Sequence, residues 1–397
     1  NPVLNLEVEY PLIACSEEGR KMSDQMPMCE RMVHVSGGIL VVSEIGTTTA
    51  KFWPRTVHGK EMEINFSEYQ ALYSAIESLG FRIIGIDFIK HESEATGGTP
   101  PEWRSYTPIT GKRCVNASSK QLWSQLATAS FLAKNGLSYD LCLRIKYQLD
   151  SLAQRLKDLS ASYQQQLYAH CLKGKHTSGR RFQDGFTDII YQKFHSFLFD
   201  ACILRDYLCE YVYLHSDDGK LVEAGTTVTT ASKLQKVLRK QNNLSRLEVG
   251  LRTQMEDGGW IKALGAYRDL VMHSAPINIA NHNSWCIAQD KEAPHGEIFP
   301  SIKVPVPSDP AGLMSKRSMR ENFDQYLAEM EEIARASFED EGANDCLDYA
   351  ALTTTNLSLI SSDIAKLSPY KPVMTRYTQK IDAEVAEVDY IEMSFPV

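Results

Sequence analysis

Leu141, Ile145, Leu149, Leu152, Leu156 and Leu159 recur at intervals of three and four residues. That spacing brings side chains back to one side of an α-helix over about five turns. A helix with such a stripe needs other elements to cover it, so the chain must build a helical bundle. Upstream, Leu122, Leu126 and Ala129 carry the same period, and Asn135-Gly136 divides the run into two helices. Downstream, after the polar loop Lys173 to Gly179, the stretch Phe182 to Leu214 has Phe, Tyr and Leu on more than one side, as a central helix would. Asp217-Asp218-Gly219 ends it. Thr230 starts a basic helix whose Leu234, Val237 and Leu238 face the core. Ser245 and Glu248 form a capping-box pair that opens the next helix, and Asp257-Gly258-Gly259 interrupts it. Helical spacing resumes from Trp260 to His273, and Pro276 closes it.

The flanks read differently. Residues 1–116 are expected to form a smaller mixed α/β region. Its strands are Val3 to Glu9, Ile39 to Val42, Thr48 to Trp53 and Phe81 to Ile89, with one helix from Ser67 to Leu79 stopped by Gly80. Glu92 to Gly111 is rich in Pro and Gly and reads as loop. Residues 117–278 form the bundle. Residues 279–311 lack a helical period, and Ile298 to Val306 reads as an edge strand. Residues 312–397 read as a C-terminal helical hairpin and tail, with helices around Phe323 to Ala334 and Ala343 to Leu367 and a last strand from Val388 to Ser394. The expected class is mainly α, with the smaller α/β region in front.

Composition narrows the functional classes. The net charge of −8 argues against a surface coated in cations for non-specific duplex binding, but leaves room for a local basic groove. No apolar run approaches the ~20 residues a bilayer requires, and Asn1 to Arg20 has glutamates and no basic n-region. Nine cysteines are scattered without a C-x-x-C pair, which suits reduced thiols in a cytoplasmic protein and offers no structural zinc site. Gly37-Gly38 and Gly97-Gly98 lack the Lys or Ser context of a phosphate loop or nucleophile elbow. No metal or cofactor is expected.

The residues with chemical promise lie at the end of the Trp260 to His273 helix. With Trp260 at zero, Leu264, Tyr267 and Val271 fall within roughly 40° of it, while Arg268 sits near 80°, Asp269 near 180° and His273 near 220°, each approximate for an ideal helix. Gly265 and Ala266 lie toward the outward side, so this face suits close approach by a second subunit or a ligand. Two basic groups offer contacts to a polyanion: Lys173, Lys175, His176, Arg180 and Arg181 around the polar loop, and Lys233, Lys236, Arg239 and Lys240 on the basic helix.

The string Ala266-Tyr-Arg-Asp-Leu-Val-Met-His-Ser-Ala, late in a helix of a helical region, resembles the signature of the HEPN superfamily: an Arg, a polar residue, then a His after a short spacer. The resemblance spans residues 118–278 and rests on Arg268, Asp269 and His273. It implies a HEPN-like bundle, and a metal-independent endoribonuclease of the toxin or host-defence kind that acts on RNA as a homodimer with two motifs face to face. Arg268, His273 and Asp269 would then be catalytic. Many members add a polar residue on an earlier helix, for which Asp200, Arg205, Asp206 and Asp188 are candidates. Another reading of the same residues is a non-catalytic assembly protein whose outward helix face is a dimer seam.

Overall fold

A computed structural model of the chain describes residues 29–44, 46–95, 97–108, 113–172, 174, 176–223, 225–273, 285–315, 322–325, 327–328, 344–378 and 387–392. The expected strand at Val3 to Glu9 lies outside these residues. Helix predominates, and a six-stranded antiparallel sheet stands in front of the bundle.

The sheet contains β1 (Cys29–Val35), β2 (Leu40–Glu44), β3 (Thr49–Trp53), β4 (Glu63–Asn65), β5 (Ile83–Phe88) and β6 (Glu102–Ser105), in the order β4-β3-β2-β1-β5-β6. Sequence reasoning missed β1, β4 and β6. The supposed loop from Glu92 to Gly111 holds a short helix, α2 (Glu92–Ala95), and the edge strand β6, which Pro100 and Pro101 lead into without removing a ladder donor. Helix α1 (Tyr69–Ser78) begins two residues later than expected, and its N-cap is Glu68, which makes no side-chain capping bond, rather than Ser67. Gly80 does adopt the positive φ, 77°, that a stop requires.

Alternation along β1 gives the sheet two unlike faces. The guanidinium of Arg31 lies between the Tyr69 ring of α1 and the Phe88 ring of β5. His34 points the other way, into a buried polar network on the bundle. Its Nε2 bonds the Asp87 carboxylate at 3.2 Å, and its Nδ1 meets Ser160 Oγ at 3.1 Å and Gln164 Nε2 at 2.8 Å. Lys157 Nζ donates to the other Asp87 oxygen at 2.6 Å. Trp103 of β6 closes this network from the side, its ring edge-on to His34 and packed over Gly85.

The bundle is built from α3 (Val115–Leu132), α4 (Gly136–Leu172), α5 (Gly185–His215) and α10 (Cys346–Ala365). The leucine stripe is buried throughout: Leu141, Ile145, Leu149, Leu152, Leu156 and Leu159 are all in the core. The break at Asn135-Gly136 is real, with Lys134 at φ 56° in the turn. Helix α5 starts at Gly185 rather than Phe182. The Asp184 side chain accepts from the Phe186 and Thr187 amides, and Phe182 belongs to a short strand. Helix α10 exists where the C-terminal hairpin was expected, but it is a member of the bundle and packs on α3, α4 and α5. Serines let it come close. Trp123 Nε1 donates to Ser361 Oγ at 2.6 Å, Ser119 Oγ to Ser358 O at 2.8 Å, and Asn116 Nδ2 to Ser358 Oγ at 3.2 Å. Most of its expected partner, Phe323 to Ala334, lies outside the described residues. The tail supplies a strand pair, β10 (Val373–Thr378) and β11 (Glu387–Glu392), close to the expected Val388 to Ser394.

Residues 279–311 contribute β8 (Cys286–Glu292) and β9 (Ile298–Lys303), which join β7 (Arg181–Phe182) in a three-stranded antiparallel sheet. One buried apolar cluster runs from the front sheet through the bundle to Phe299 and Ile302 of β9. The seven cysteines with described side chains are free thiols.

A partly buried histidine and an aspartate with a buried carboxyl give the fold opposite responses to acid. Burial pushes the pKa of His195, on α5, down to about 4, so the folded chain holds this ring neutral. Its contribution is complete above the ordinary histidine range and is lost as pH falls toward 4. Asp345 caps α10 and accepts from Tyr163 Oη, Val304 N and Leu347 N. Burial, reinforced by the Asp348 charge, raises it to about 6, so its contribution is present at low pH and lost as pH rises through that value. His195→Gln is expected to remove the first effect and leave the second. The ratio of urea midpoints at pH 4.5 and pH 7.0 should then be higher in the variant than in the wild type. An unchanged ratio would show that His195 is not the acid-sensitive group.

Candidate functional site

Helix α8 (Trp260–His273) is fixed in rotation by Ile261, Leu264, Tyr267 and Leu270, all buried. Tyr267 Oη donates to the Pro307 carbonyl at 2.6 Å, and its ring packs edge-on to Tyr349 of α10. Trp260 and Val271, expected in the stripe, are only half-buried, because packing against α5 and α9 (Pro310–Ser315) turns the helix toward Leu270. Gly265 corrects a further expectation. A Cβ there would stand 3.2 Å from Arg205 Nη1 of α5, so this glycine serves a contact within the chain, not an open outward face.

That contact is part of a charge network. Arg205 is 5% exposed, and its Nε and Nη2 donate to Asp206 Oδ1 at 2.9 and 2.8 Å. The same oxygen accepts the Ala231 amide at 3.1 Å, which ties it to the first residue of α6 (Ala231–Lys240). Asp206 Oδ2 lies 4.0 Å from Arg268 Nη1. Arg268 Nε and Nη2 in turn converge on Asp269 Oδ1 at 2.9 and 2.6 Å. Two arginines and two aspartates from α5 and α8 therefore neutralise one another where α6 begins. Burial of Arg205 makes Asp206 hard to remove, since an unpaired guanidinium would be left in the interior.

His273 occupies the last turn of α8 and is exposed, beside the exposed Met272. A cation there is favoured by the helix dipole. Arg268 points toward α5 and α6, and about 140° of ideal helix separates the two positions. The guanidinium is bonded to Asp269, one residue on, and any anion arriving at Arg268 competes with that carboxylate.

The two basic groups fare differently. Lys233, Lys236, Arg239 and Lys240 are exposed on α6, whose first residue is bonded to Asp206. Arg180 is exposed and Arg181 is half-buried in β7, ahead of the start of α5. About 30 Å of helix, at 1.5 Å per residue, separates Gly185 from Arg205, so this pair is not brought to the motif. His176 is held by Asp290 at 2.8 Å. Lys173 and Lys175 lie outside the described residues.

Among the earlier-helix candidates, Arg205 and Asp206 meet the motif. Asp200 is bound by Gln148 and Arg155 of α4 at 2.8 and 2.7 Å, and Asp188 sits in the first turn of α5. The link from Asp206 to the start of α6 escaped sequence reasoning.

Among the described residues no group of three His, Cys, Asp or Glu side chains is placed to hold a metal ion, and no helix is long and apolar enough to cross a membrane. Comparison with protein-family models, curated proteins and solved structures finds no match to this chain.

Proposed function

We propose that the chain is a metal-independent endoribonuclease of HEPN type, with Arg268 and His273 as its catalytic side chains and a second copy of the chain completing the cleft. The observation that carries this reading is the Arg205-Asp206-Arg268-Asp269 network, which sets the motif arginine beside a helix lined with cations.

RNA supplies its own nucleophile, the 2′-hydroxyl. Cleavage needs a base for that proton, a cation beside the charge that develops on phosphorus, and an acid for the departing 5′-oxygen. An imidazole titrates near neutrality and serves as either base or acid. A guanidinium keeps its charge and matches phosphate with a fork of donors. Asp269 holds Arg268 in the resting site and yields to the substrate phosphate. One motif offers one His, and the angle between Arg268 and His273 on α8 favours meeting across two copies. A dimer supplies both an acid and a base.

The test is the chemistry of the product ends. Wild-type chain incubated with RNA in excess chelator should release 2′,3′-cyclic phosphate and 5′-hydroxyl termini. Ends of the opposite kind, with 3′-hydroxyls and 5′-phosphates, would point to an activated water and rule this mechanism out.

A further inference from the structure

Helix α6 has the sequence Ala-Ser-Lys-Leu-Gln-Lys-Val-Leu-Arg-Lys, with no acidic residue. Its apolar side, Leu234, Val237 and Leu238, is buried, and Ser232, Lys233, Lys236, Arg239 and Lys240 are exposed. Among the described residues Lys233, Lys236 and Arg239 have no ion pair within 4.0 Å, and Lys240 reaches Glu223 only at 3.9 Å. This is a concentrated positive face on a chain whose net charge is −8. Lys233, Lys236 and Lys240 fall within roughly 60° of one another on an ideal helix, so they form a line about 10 Å long.

The helix end itself is not an anion site. The Ala231 amide is taken by Asp206, and the Lys233 amide by the Thr230 hydroxyl at 3.4 Å. An anion would therefore lie along the side of α6. No exposed side chain of α6 is aromatic, so it offers no platform for stacking bases. None is aliphatic either, so it offers nothing to insert into lipid. What remains is repeated charge, suited to a repeated charge.

We propose that the lysine face of α6 is a track for the phosphodiester backbone of RNA, read without regard to base sequence, and that Asp206 fixes the start of this track beside Arg268. The proposal rests on the nuclease reading and says how its substrate is held. Asp206 is a positioning residue: it grips Arg205, the first amide of α6 and the neighbourhood of Arg268 together, so the strand held on α6 arrives in line with the motif.

Binding is measured separately from cutting. The His273→Ala chain keeps RNA intact, and its affinity for a fluorescent mixed-sequence single-stranded RNA is followed by anisotropy over a range of salt concentrations. The same chain carrying Lys233→Gln, Lys236→Gln and Lys240→Gln is compared with it. Glutamine sustains a helix, and all three positions are exposed, so thermal melts should coincide. The expected result is a tenfold or greater loss of affinity at 100 mM salt and a shallower salt dependence, by about 0.7 in log-log slope for each lysine lost. Unchanged affinity and slope would overturn the track. So would binding to phosphatidylglycerol vesicles that the triple substitution abolishes while RNA binding persists. If the wild-type chain binds RNA with the expected slope but cuts nothing, the track stands and the nuclease reading falls. If it cuts while the triple substitution leaves binding intact, the reverse holds.

Discussion

Asp87→Ala is expected to destabilise the chain by about 3–5 kcal/mol, the cost of breaking a buried ion pair by deleting one partner. Asp87 is 4% exposed, and both carboxylate oxygens are occupied, one by His34 Nε2 and one by Lys157 Nζ. Burial alone would raise its pKa. The bonds and charges of His34 and Lys157 outweigh that and hold the carboxyl below its ordinary range. Removing the carboxylate leaves the Lys157 ammonium, 12% exposed, without its partner between the front sheet and the bundle. Asp87→Asn keeps the shape and loses the charge, so it should fall between wild type and Ala. Urea unfolding followed by circular dichroism measures both. A loss below about 1 kcal/mol in Asp87→Ala would mean that the network is dispensable packing.

On the proposed nuclease reading, Arg268→Ala and His273→Ala should each lower RNA cleavage by roughly 10²- to 10⁴-fold, the range for losing a positioned acid-base group or a cation at the developing charge. The two losses have different structural costs. His273 is exposed in the last turn of α8, and its replacement should leave the melting temperature within the error of the wild type. Arg268 is bonded to Asp269 and stands 4.0 Å from Asp206, so its replacement takes that partner from Asp269 while Asp206 keeps Arg205 and the Ala231 amide. Arg268→Lys keeps the charge without the fork. It should recover the stability but little of the rate, which separates a chemical role from a structural one.

Most of the bundle was legible because its residues repeat a period over long distances. Leu141 to Leu159 can be a core only as a helix, and capping residues such as Thr230, Ser245 and Gly80 mark helix ends by local chemistry. Strand β1 was not legible. Its faces alternate between Val33 and Val35 on one side and Met32 and His34 on the other, and His34 is buried because it is bonded, not because it is apolar. A period-two search finds no contrast there. Strand β6 was hidden by the prolines before it, and the place of α10 in the bundle by distance, since nothing in Cys346 to Ala365 says that its serines meet Trp123 and Asn116 from the other end of the chain.

Sequence reasoning put Arg268, Asp269 and His273 on one helix, and the structure has them on α8. That reasoning misread Gly265, because a helical wheel gives direction and not neighbours, and Arg205 occupies what looked like open space. The Arg205 and Asp206 contact with α8 was one possibility among four acidic or basic positions, and only the packing of α5 on α8 selects it.

Cleavage rates of wild type, Arg268→Lys and His273→Ala on one end-labelled RNA, in excess chelator and at equal protein concentration, probe the proposed chemistry most directly. Cutting by the wild type that is insensitive to the chelator, and at least a hundredfold slower in both variants, is the expected pattern. Equal rates in all three proteins, or activity that vanishes with the chelator, would mean that the Arg268 and His273 side chains do not perform the reaction.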